Sequence, residues 1–427
     1  MSARPRVLML TFEYGPIRCG GLATMVTALC GALDLERFEP VVVLPRSGHA
    51  PPWRPVARHV LPYCEADVYR EQGCEIWLLS NPLLDGPIYP EPADHVGIKK
   101  IDDYCERVAE LLGTLRVDLL HLHDAFGYKC LYAARLLGLP TVLTIHRLHD
   151  DEPAFAFAEL AAVRLVDEVT TVSHSYLREC QDFFHSRERV HAIPNGLEPG
   201  FWSEEYLEPR SRAERLRQLQ RELGLPPAPT FAYVGRLDSV QKGLDVLLDA
   251  QAHHLAHHPH NLLIAGDGEP ALAARITAAV ASAPGANVRF LHRHLPRQEV
   301  RALLGAVDFA VIPSRFEPFG LIQLEAMAMG ALPIVSRVGG LRDVVLDVRA
   351  EGGFGQLFEP GDAEGLAGAL REMARLARER PETLERARQA AGERARAHSA
   401  RAMAEQYERL YASLLEGRER EGLRRAG

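Results

Sequence analysis

An α/β protein with two doubly wound, Rossmann-like domains is predicted, and three observations carry that expectation. The 427 residues exceed what one hydrophobic core usually serves. Short continuous apolar runs alternate with helical patterns in both halves, the mark of parallel strands covered on both faces. Between the halves the alternation breaks at a proline- and glycine-bearing stretch, residues 194–229.

Residues 7–11 form a β-rich apolar run, and a helical pattern follows over 22–33. Further apolar runs lie at 40–44, 117–122, 141–145 and 168–172, with helical patterns over 129–137 and 154–166. Residues 194–200 read as a hinge and 210–223 as a charged surface helix leading into the second domain. The second half repeats the plan, with runs at 230–234, 262–265, 288–291, 309–312 and 332–335. Helical patterns cover 244–256, 271–281 and 321–329. After Pro381 the chain is rich in Ala, Arg and Glu and helical throughout. The expected division is a first domain over 1–195 and a hinge and linker helix over 196–228. A second domain follows over 229–395, then a C-terminal helix over 396–427 that packs back toward the first domain. In such sheets ligands bind at the carboxyl ends of the strands, so a site in a cleft between the domains is expected.

Composition narrows the function classes. A formal net charge of −8 argues against nucleic acid or an anionic membrane as the main partner. Seven cysteines, an odd number with no CxxC pair, argue against a zinc site or disulfide framework and for a reducing cytoplasm. No apolar run approaches the roughly 20 residues that span a bilayer, so no integral membrane contact is expected. The oligomeric state is not legible.

Chemistry gathers at strand ends. The segment PSRFEPFGLIQLE, residues 313–325, follows one run and opens a helix, where backbone N–H groups are offered to an anion. Its Glu317 and Glu325 are carboxylates able to accept hydrogen bonds from sugar and ribose hydroxyls. Arg315, Phe319, Gly320 and Leu321 are further candidate donor contacts in the same loop. Spacing alone leaves a capped surface helix with two solvated acids as an equal reading. VGRLDSVQKG, residues 234–243, offers Arg236 and Lys242 for a diphosphate, or a pair of ordinary surface cations. EYGPIRCGGL, residues 13–22, brings Arg18, Gly20 and Gly21 to the first helix start, but it is not the GxGxxG dinucleotide fingerprint. Asp124 and His146 close two runs, beside His121 and His123, as cleft residues or as histidines serving loop backbone. His253, His254, His257, His258 and His260 have partial metal spacing but no carboxylate partner, and read as a polar helix end. No Asp-x-Asp occurs, so a metal-clamped diphosphate lacks its ligands.

In this order, EYGPIRCGGL, HLHDAF, TIHRLH, VTTVSHSYL, PNGLEPGFW, VGRLDSVQKGLDVLL, IAGDGEP, PSRFEPFGLIQLEAMAMGALPIV and VGGLRDVV resemble the retaining GT-B glycosyltransferases. The resemblance is nearest to the glycogen and starch synthases (glycosyl transferases group 1) and spans about residues 7–358. It implies roles. Glu317 matches the glutamate beside the transferred sugar, and Glu325 the one that holds the ribose. Arg236 and Lys242 match the pair that stabilises the leaving diphosphate. His146 matches a histidine lining the donor sugar, Asp124 an aspartate near the reacting centre, and Gly20 and Gly21 a loop near the phosphates.

The implied activity is transfer of glucose from ADP-glucose or UDP-glucose to an acceptor with retention, without an essential metal or other cofactor. The expected acceptor is the non-reducing end of an α-1,4-glucan. No nucleophile placed for double displacement is evident, so same-face attack is expected, with domain closure about 194–200 excluding water. Alternatives are a non-glucan acceptor, small or lipid, or a non-catalytic sugar-nucleotide or glucan-binding protein. Arg18, a bulkier, forked cation, stands where the family usually has lysine. Residues 149–166 are shorter than in typical glycogen synthases, which leaves the acceptor side less specified than the donor side.

Overall fold

The computed structural model describes residues 4–17, 20–46, 51–80, 95–149, 153–185, 189–198, 200–207, 209–255, 258–282 and 287–426. The chain divides into two compact units. One comprises Met1–Gly196 with Ala400–Gly427, the other Leu197–Ser399. Each is built on its own largely parallel sheet, as the alternating pattern predicts.

The first unit contains β1 (Arg6–Leu10), β2 (Glu39–Pro45), β3 (Ala57–Val60), β4 (Glu65–Glu71), β5 (Cys74–Leu79), β6 (Leu119–His123), β7 (Thr141–Ile145), β8 (Glu168–Thr171) and β9 (Val190–Ala192). They lie in the order β3-β4-β5-β2-β1-β6-β7-β8-β9. Chain order reverses direction across the sheet between β1 and β6, where Val7 pairs with Leu119 and Leu8 with Leu120. Every residue of β6 and β7 is buried, as helices on both faces require.

Sequence patterning missed the strands at one end of this sheet. β3 and β4 pair antiparallel, as do β4 and β5. β3 is exposed at all four positions, so it offers no apolar run to detect. β4 and β5 carried a usable signal, a two-residue Gln72–Gly73 turn between alternating segments. Both turn residues have positive φ, 49° and 83°, the backbone a tight hairpin demands.

The helix Ala400–Ala426 belongs to the first unit. It packs on the helix Gly21–Ala32. Tyr407 and Tyr411 are fully buried. Glu408, 2% exposed, accepts from the Asp34 N–H at 2.9 Å and pairs with Arg401 at 2.7 Å and Arg37 at 3.2 Å. A buried carboxylate is tolerated because it has these partners.

The second unit holds β10 (Thr230–Val234), β11 (Asn261–Gly266), β12 (Val288–His292), β13 (Phe309–Ile312), β14 (Leu332–Ser336) and β15 (Gln356–Phe358). All are parallel, in the order β12-β11-β10-β13-β14-β15. Here the order reverses between β10 and β13, where Phe231 stacks on Phe309 with ring centroids 4.8 Å apart. Burying each ring stabilises the sheet by roughly 1.5–3 kcal/mol.

The segment expected as a linker is part of this unit. Ser211 and Glu214 form a capping box that starts the helix Arg212–Glu222. Arg212 donates to the carbonyls of Met329 (2.6 Å) and Val307, and burial pulls its pKa down to about 9. The histidine cluster also differs from a polar helix end. The helix Leu244–Asp249 passes into a π-turn, Ala250–His254. His260 is buried and bonded through Nε2 to Gln251 at 2.8 Å. His257 lies outside the described residues.

Among the described residues no helix is long and apolar enough to cross a membrane. None of their His, Cys, Asp and Glu side chains gather in threes to hold a metal.

Candidate active site

In the second unit the two loops singled out by sequence leave adjacent strands. One follows β10 and the other follows β13, the strands that flank the reversal of chain order. In open parallel sheets that crevice is where ligands bind. The β10 loop carries Arg236 and Lys242, and the β13 loop carries Arg315, Glu317 and Phe319.

Lys242 Nζ lies 2.7 Å from Glu317 Oε2, with side-chain exposures of 26% and 12%. Ser314 Oγ donates to the same oxygen at 3.2 Å. The two candidate residues are thus one half-buried ion pair. Backbone geometry enforces the meeting. Gly243 has φ +62°, and a Cβ there would stand 1.9 Å from the Pro313 carbonyl oxygen, so only glycine allows the loops so close. The Arg315 N–H donates to the Gln241 carbonyl at 2.7 Å.

Arg236 Nη2 bonds Asp238 Oδ2 at 2.6 Å and Gln241 Oε1 at 3.3 Å, with the Arg236 side chain 56% exposed. Burial pushes Asp238 upward. The N–H groups of Gln241 and Val240 and the Arg236 guanidinium outweigh it and hold Asp238 below the usual carboxylate range. Arg236 is therefore held by one carboxylate yet open to solvent, ready to meet a second anion.

The helix Leu321–Ala328 starts here, with Gly320 at its N-cap (φ 82°). Its start carries the positive end of the helix dipole, and of its first-turn N–H groups that of Gln323 already donates to the Gly320 carbonyl at 3.1 Å. Four predicted donor contacts take different places. Arg315 forms a bidentate pair with Asp245 at 2.6 and 2.5 Å. Phe319 is 3% exposed, so its ring belongs to the core. Glu325 is half-buried on the second turn of the helix, and Leu321 is half-buried at its start.

Sequence reasoning passed over Gly339 and Gly340 as site residues. The Gly340 N–H donates to the Glu317 and Pro318 carbonyls at 3.2 and 3.1 Å. A Cβ on Gly339 would lie 1.9 Å from the Glu317 carbonyl oxygen. The paired glycines thus press a second helix start, Gly339–Val344, against the Glu317 loop. The VGG signal was present in sequence, but its partner in space was not.

In the first unit Asp124 and His146 follow β6 and β7. Asp124 has φ 61° and ψ 165°, a backbone cost of about 1–3 kcal/mol for a residue other than glycine. Its Oδ1 accepts from the His146 N–H at 2.8 Å and the Arg147 N–H at 3.4 Å. Asp124 therefore shapes the turn that carries His146. Burial raises its pKa to about 7. His146 Nε2 faces His123 Nδ1 at 3.1 Å, and burial lowers His146 to about 3.

Behind them His121 bridges Tyr411 Oη and Thr144 Oγ1, both at 2.7 Å. Burial lowers His121 to about 3 as well. These histidines are neutral at ordinary pH. Further along, His149 Nδ1 meets the buried Glu159 carboxylate at 2.9 Å. Burial opposes its charge, but the Glu159 hydrogen bond prevails and raises it.

Gly20 and Gly21 are exposed at the first helix start. The Gly20 N–H donates to Glu13 Oε2 at 2.9 Å, and a Cβ there would meet nothing within 4 Å. Among the described residues nothing requires glycine at position 20. Arg18 lies outside the described residues. A cavity of about 750 Å³ in the second unit lies at the other end of the helix Leu321–Ala328, bordered by Trp202, Met327 and Arg388, and holds none of the predicted site residues.

A family model described as Glycosyl transferases group 1 matches residues 228–375, and one described as Glycosyltransferase Family 4 matches residues 19–201. A glycogen synthase from Paracoccus denitrificans (strain Pd 1222) is 30% identical over 435 residues, covering 87% of this chain and 92% of that protein. Among solved structures, the catalytic domain of starch synthase IV from Arabidopsis thaliana, bound to ADP and acarbose, matches with a TM-score of 0.81. It is 20% identical and covers 97% of this chain and 100% of that one. Sucrose-phosphate synthase from Thermosynechococcus elongatus matches with a TM-score of 0.73 at 22% identity, covering 97% and 100%. Two Rossmann-like sheets of this topology and a full-length relative at that identity lead to one conclusion: the chain belongs to the GT-B glycosyltransferases of the glycogen and starch synthase type.

Proposed function

We propose that the protein transfers glucose from ADP-glucose or UDP-glucose to the non-reducing end of an α-1,4-glucan, with retention at the anomeric carbon. The observation that carries this reading is the Lys242–Glu317 pair at 2.7 Å, set between two loops at the sheet's reversal point. A cation and a carboxylate joined there are what a diphosphate attached to a sugar needs. Lys242 exchanges its carboxylate for the leaving phosphate, and Glu317 accepts from sugar hydroxyls. Arg236 supplies the second positive charge, and the first turn of the helix Leu321–Ala328 adds N–H donors. Glu325 serves the ribose.

As the bond from C1 to the phosphate oxygen breaks, negative charge grows on the diphosphate where Arg236 and Lys242 stand. The acceptor hydroxyl attacks from the same face and passes its proton to the leaving phosphate. No metal is assigned to this step, since two cations carry the charge. His146 and the Gly20–Gly21 loop of the first unit serve the sugar and the phosphates. The six described cysteines are free and buried, in keeping with a cytoplasmic setting. Support for the glucan acceptor comes from the glycogen synthase relative.

A second reading, a small or lipid acceptor, is favoured by one feature. The segment after His146 is short, and His149 ties it to Glu159. The deciding experiment incubates the protein with ADP-glucose or UDP-glucose, with and without glycogen. Nucleotide release that rises with glycogen, with glucan growth, is expected. Release indifferent to glycogen overturns the glucan acceptor. Tight donor binding without turnover overturns the enzyme reading in favour of a binding protein.

A further inference from the structure

We propose that His123 is a positioning residue: it donates its Nδ1–H to His146 Nε2 and thereby presents His146 Nδ1–H to a hydroxyl oxygen of the bound hexose. The inference rests on the glycosyltransfer reading above, in which His146 serves the transferred sugar.

The two rings meet through one nitrogen each, at 3.1 Å. Both imidazoles are neutral because burial disfavours their charged forms. A neutral pair shares one proton across such a contact, so two arrangements exist. In the first, His123 Nδ1–H donates to His146 Nε2, and His146 carries its own proton on Nδ1. In the second, His146 Nε2–H donates to His123 Nδ1, and His123 carries its proton on Nε2.

The far side of His123 separates them. His123 is 2% exposed, and its Nε2 is buried without a hydrogen-bond partner. The second arrangement strands an N–H donor there, and orphaned buried N–H groups are the rarer and costlier defect. The first leaves only a bare acceptor nitrogen on a ring that lies beside that of His121, with centroids 4.1 Å apart. His121 cannot reverse the choice, since both its nitrogens are engaged by Tyr411 and Thr144.

Consecutive residues at the end of β6 thus hold His146 twice. Asp124 fixes its backbone through the N–H at 2.8 Å, and His123 fixes its ring and tautomer. A histidine locked as an Nδ1–H donor selects an acceptor oxygen, which a neutral sugar hydroxyl provides.

The test reads the tautomer directly. In the full-length, ¹⁵N-histidine-labelled protein, two-bond ¹H–¹⁵N spectra report which ring nitrogen bears the proton. The His146 signals are identified by their loss in His146→Gln. Both His123 and His146 are expected as Nδ1–H tautomers. His146 found as Nε2–H overturns the proposal.

His123→Leu removes the donor; it is expected to release His146 into mixed tautomers and lower kcat/KM roughly tenfold. His123→Asn places an amide N–H near the position of Nδ1; it is expected to restore the tautomer and most of the activity. Unchanged tautomer and activity in His123→Leu overturn the proposal. If His123→Leu does not fold, the wild-type and His123→Asn spectra still decide. If the wild-type protein turns over no donor, the transferase reading fails while the tautomer remains measurable.

Discussion

The strand-end residues of the two units treat charge in opposite ways. In the second unit the candidate groups are ionised and partly solvated: Lys242 with Glu317, Arg236 with Asp238, Arg315 with Asp245. In the first they are buried: His121 and His146, lowered to about 3, are uncharged at neutral pH, and Asp124, raised to about 7, gives up its proton far less readily than an ordinary carboxyl. On the function proposed above, the contrast suits two kinds of ligand group. A diphosphate needs fixed positive charge that can leave one anion for another. Sugar hydroxyls need neutral donors and acceptors held in place, where a full charge would bind water instead.

The strongest way to break this comparison is to remove a charge from the second unit. Lys242→Ala and Glu317→Ala are each expected to lower kcat by about 10²–10³-fold without unfolding the protein. Nucleotide release alongside circular dichroism measures both. Near-normal activity in either variant removes that residue from the mechanism.

Next comes the strained turn of the first unit. Asp124→Ala strands the N–H groups of His146 and Arg147 and keeps an unfavourable φ. It is expected to cost roughly 1–3 kcal/mol of stability and most of the activity. Asp124→Asn retains an acceptor oxygen and tolerates positive φ, so it is expected to keep both. Denaturant midpoints and donor turnover separate the two variants, and an inactive but stable Asn variant would assign the charge itself a role.

The buried histidines predict a pH effect of defined sign. His121 and His146 bind protons less readily folded than unfolded, at about 3 against 6.5. Between pH 6.5 and 3 the unfolded chain therefore takes up more protons, and stability falls as pH drops through that window. Asp124 has the opposite slope. Its folded value of about 7 against 3.8 makes its contribution full below pH 3.8 and lost as pH rises toward 7. Two histidines outweigh one aspartate, so urea midpoints of the first unit should fall on acidification. Midpoints that stay level from pH 6.5 to 4 would show that these histidines titrate normally.

The smallest effect is expected at Arg315. Its pair with Asp245 is about a third exposed on each side, and such pairs contribute about 0–1 kcal/mol. Arg315→Ala should change donor affinity and the thermal midpoint only slightly, and a large loss of affinity would restore Arg315 as a donor contact.

The strands β7, β10 and β13 were legible to the residue because each is a buried apolar run bounded by polar turns. The β3–β5 edge was not, because its first strand is solvated and shows no period. The site loops were legible as strand-to-helix junctions. Phe319 was misleading, because an aromatic residue in a loop reads the same whether its ring faces a ligand or the core. His123 and the Gly339 motif were visible in sequence, but their partners were not, since each acts on a residue more than 20 positions away.

By itself the sequence determined the fold class, the two-sheet plan, and the loops that carry cations and carboxylates. Those properties follow from local periodicity and from motif spacing along one chain. Only the tertiary structure decided which charges pair, which aromatic side chains are core, and which histidine fixes the ring of another. Such facts depend on strands 20 to 80 residues apart lying side by side, and on burial, which keeps a histidine neutral with one available tautomer and makes an aspartate hold its proton more tightly.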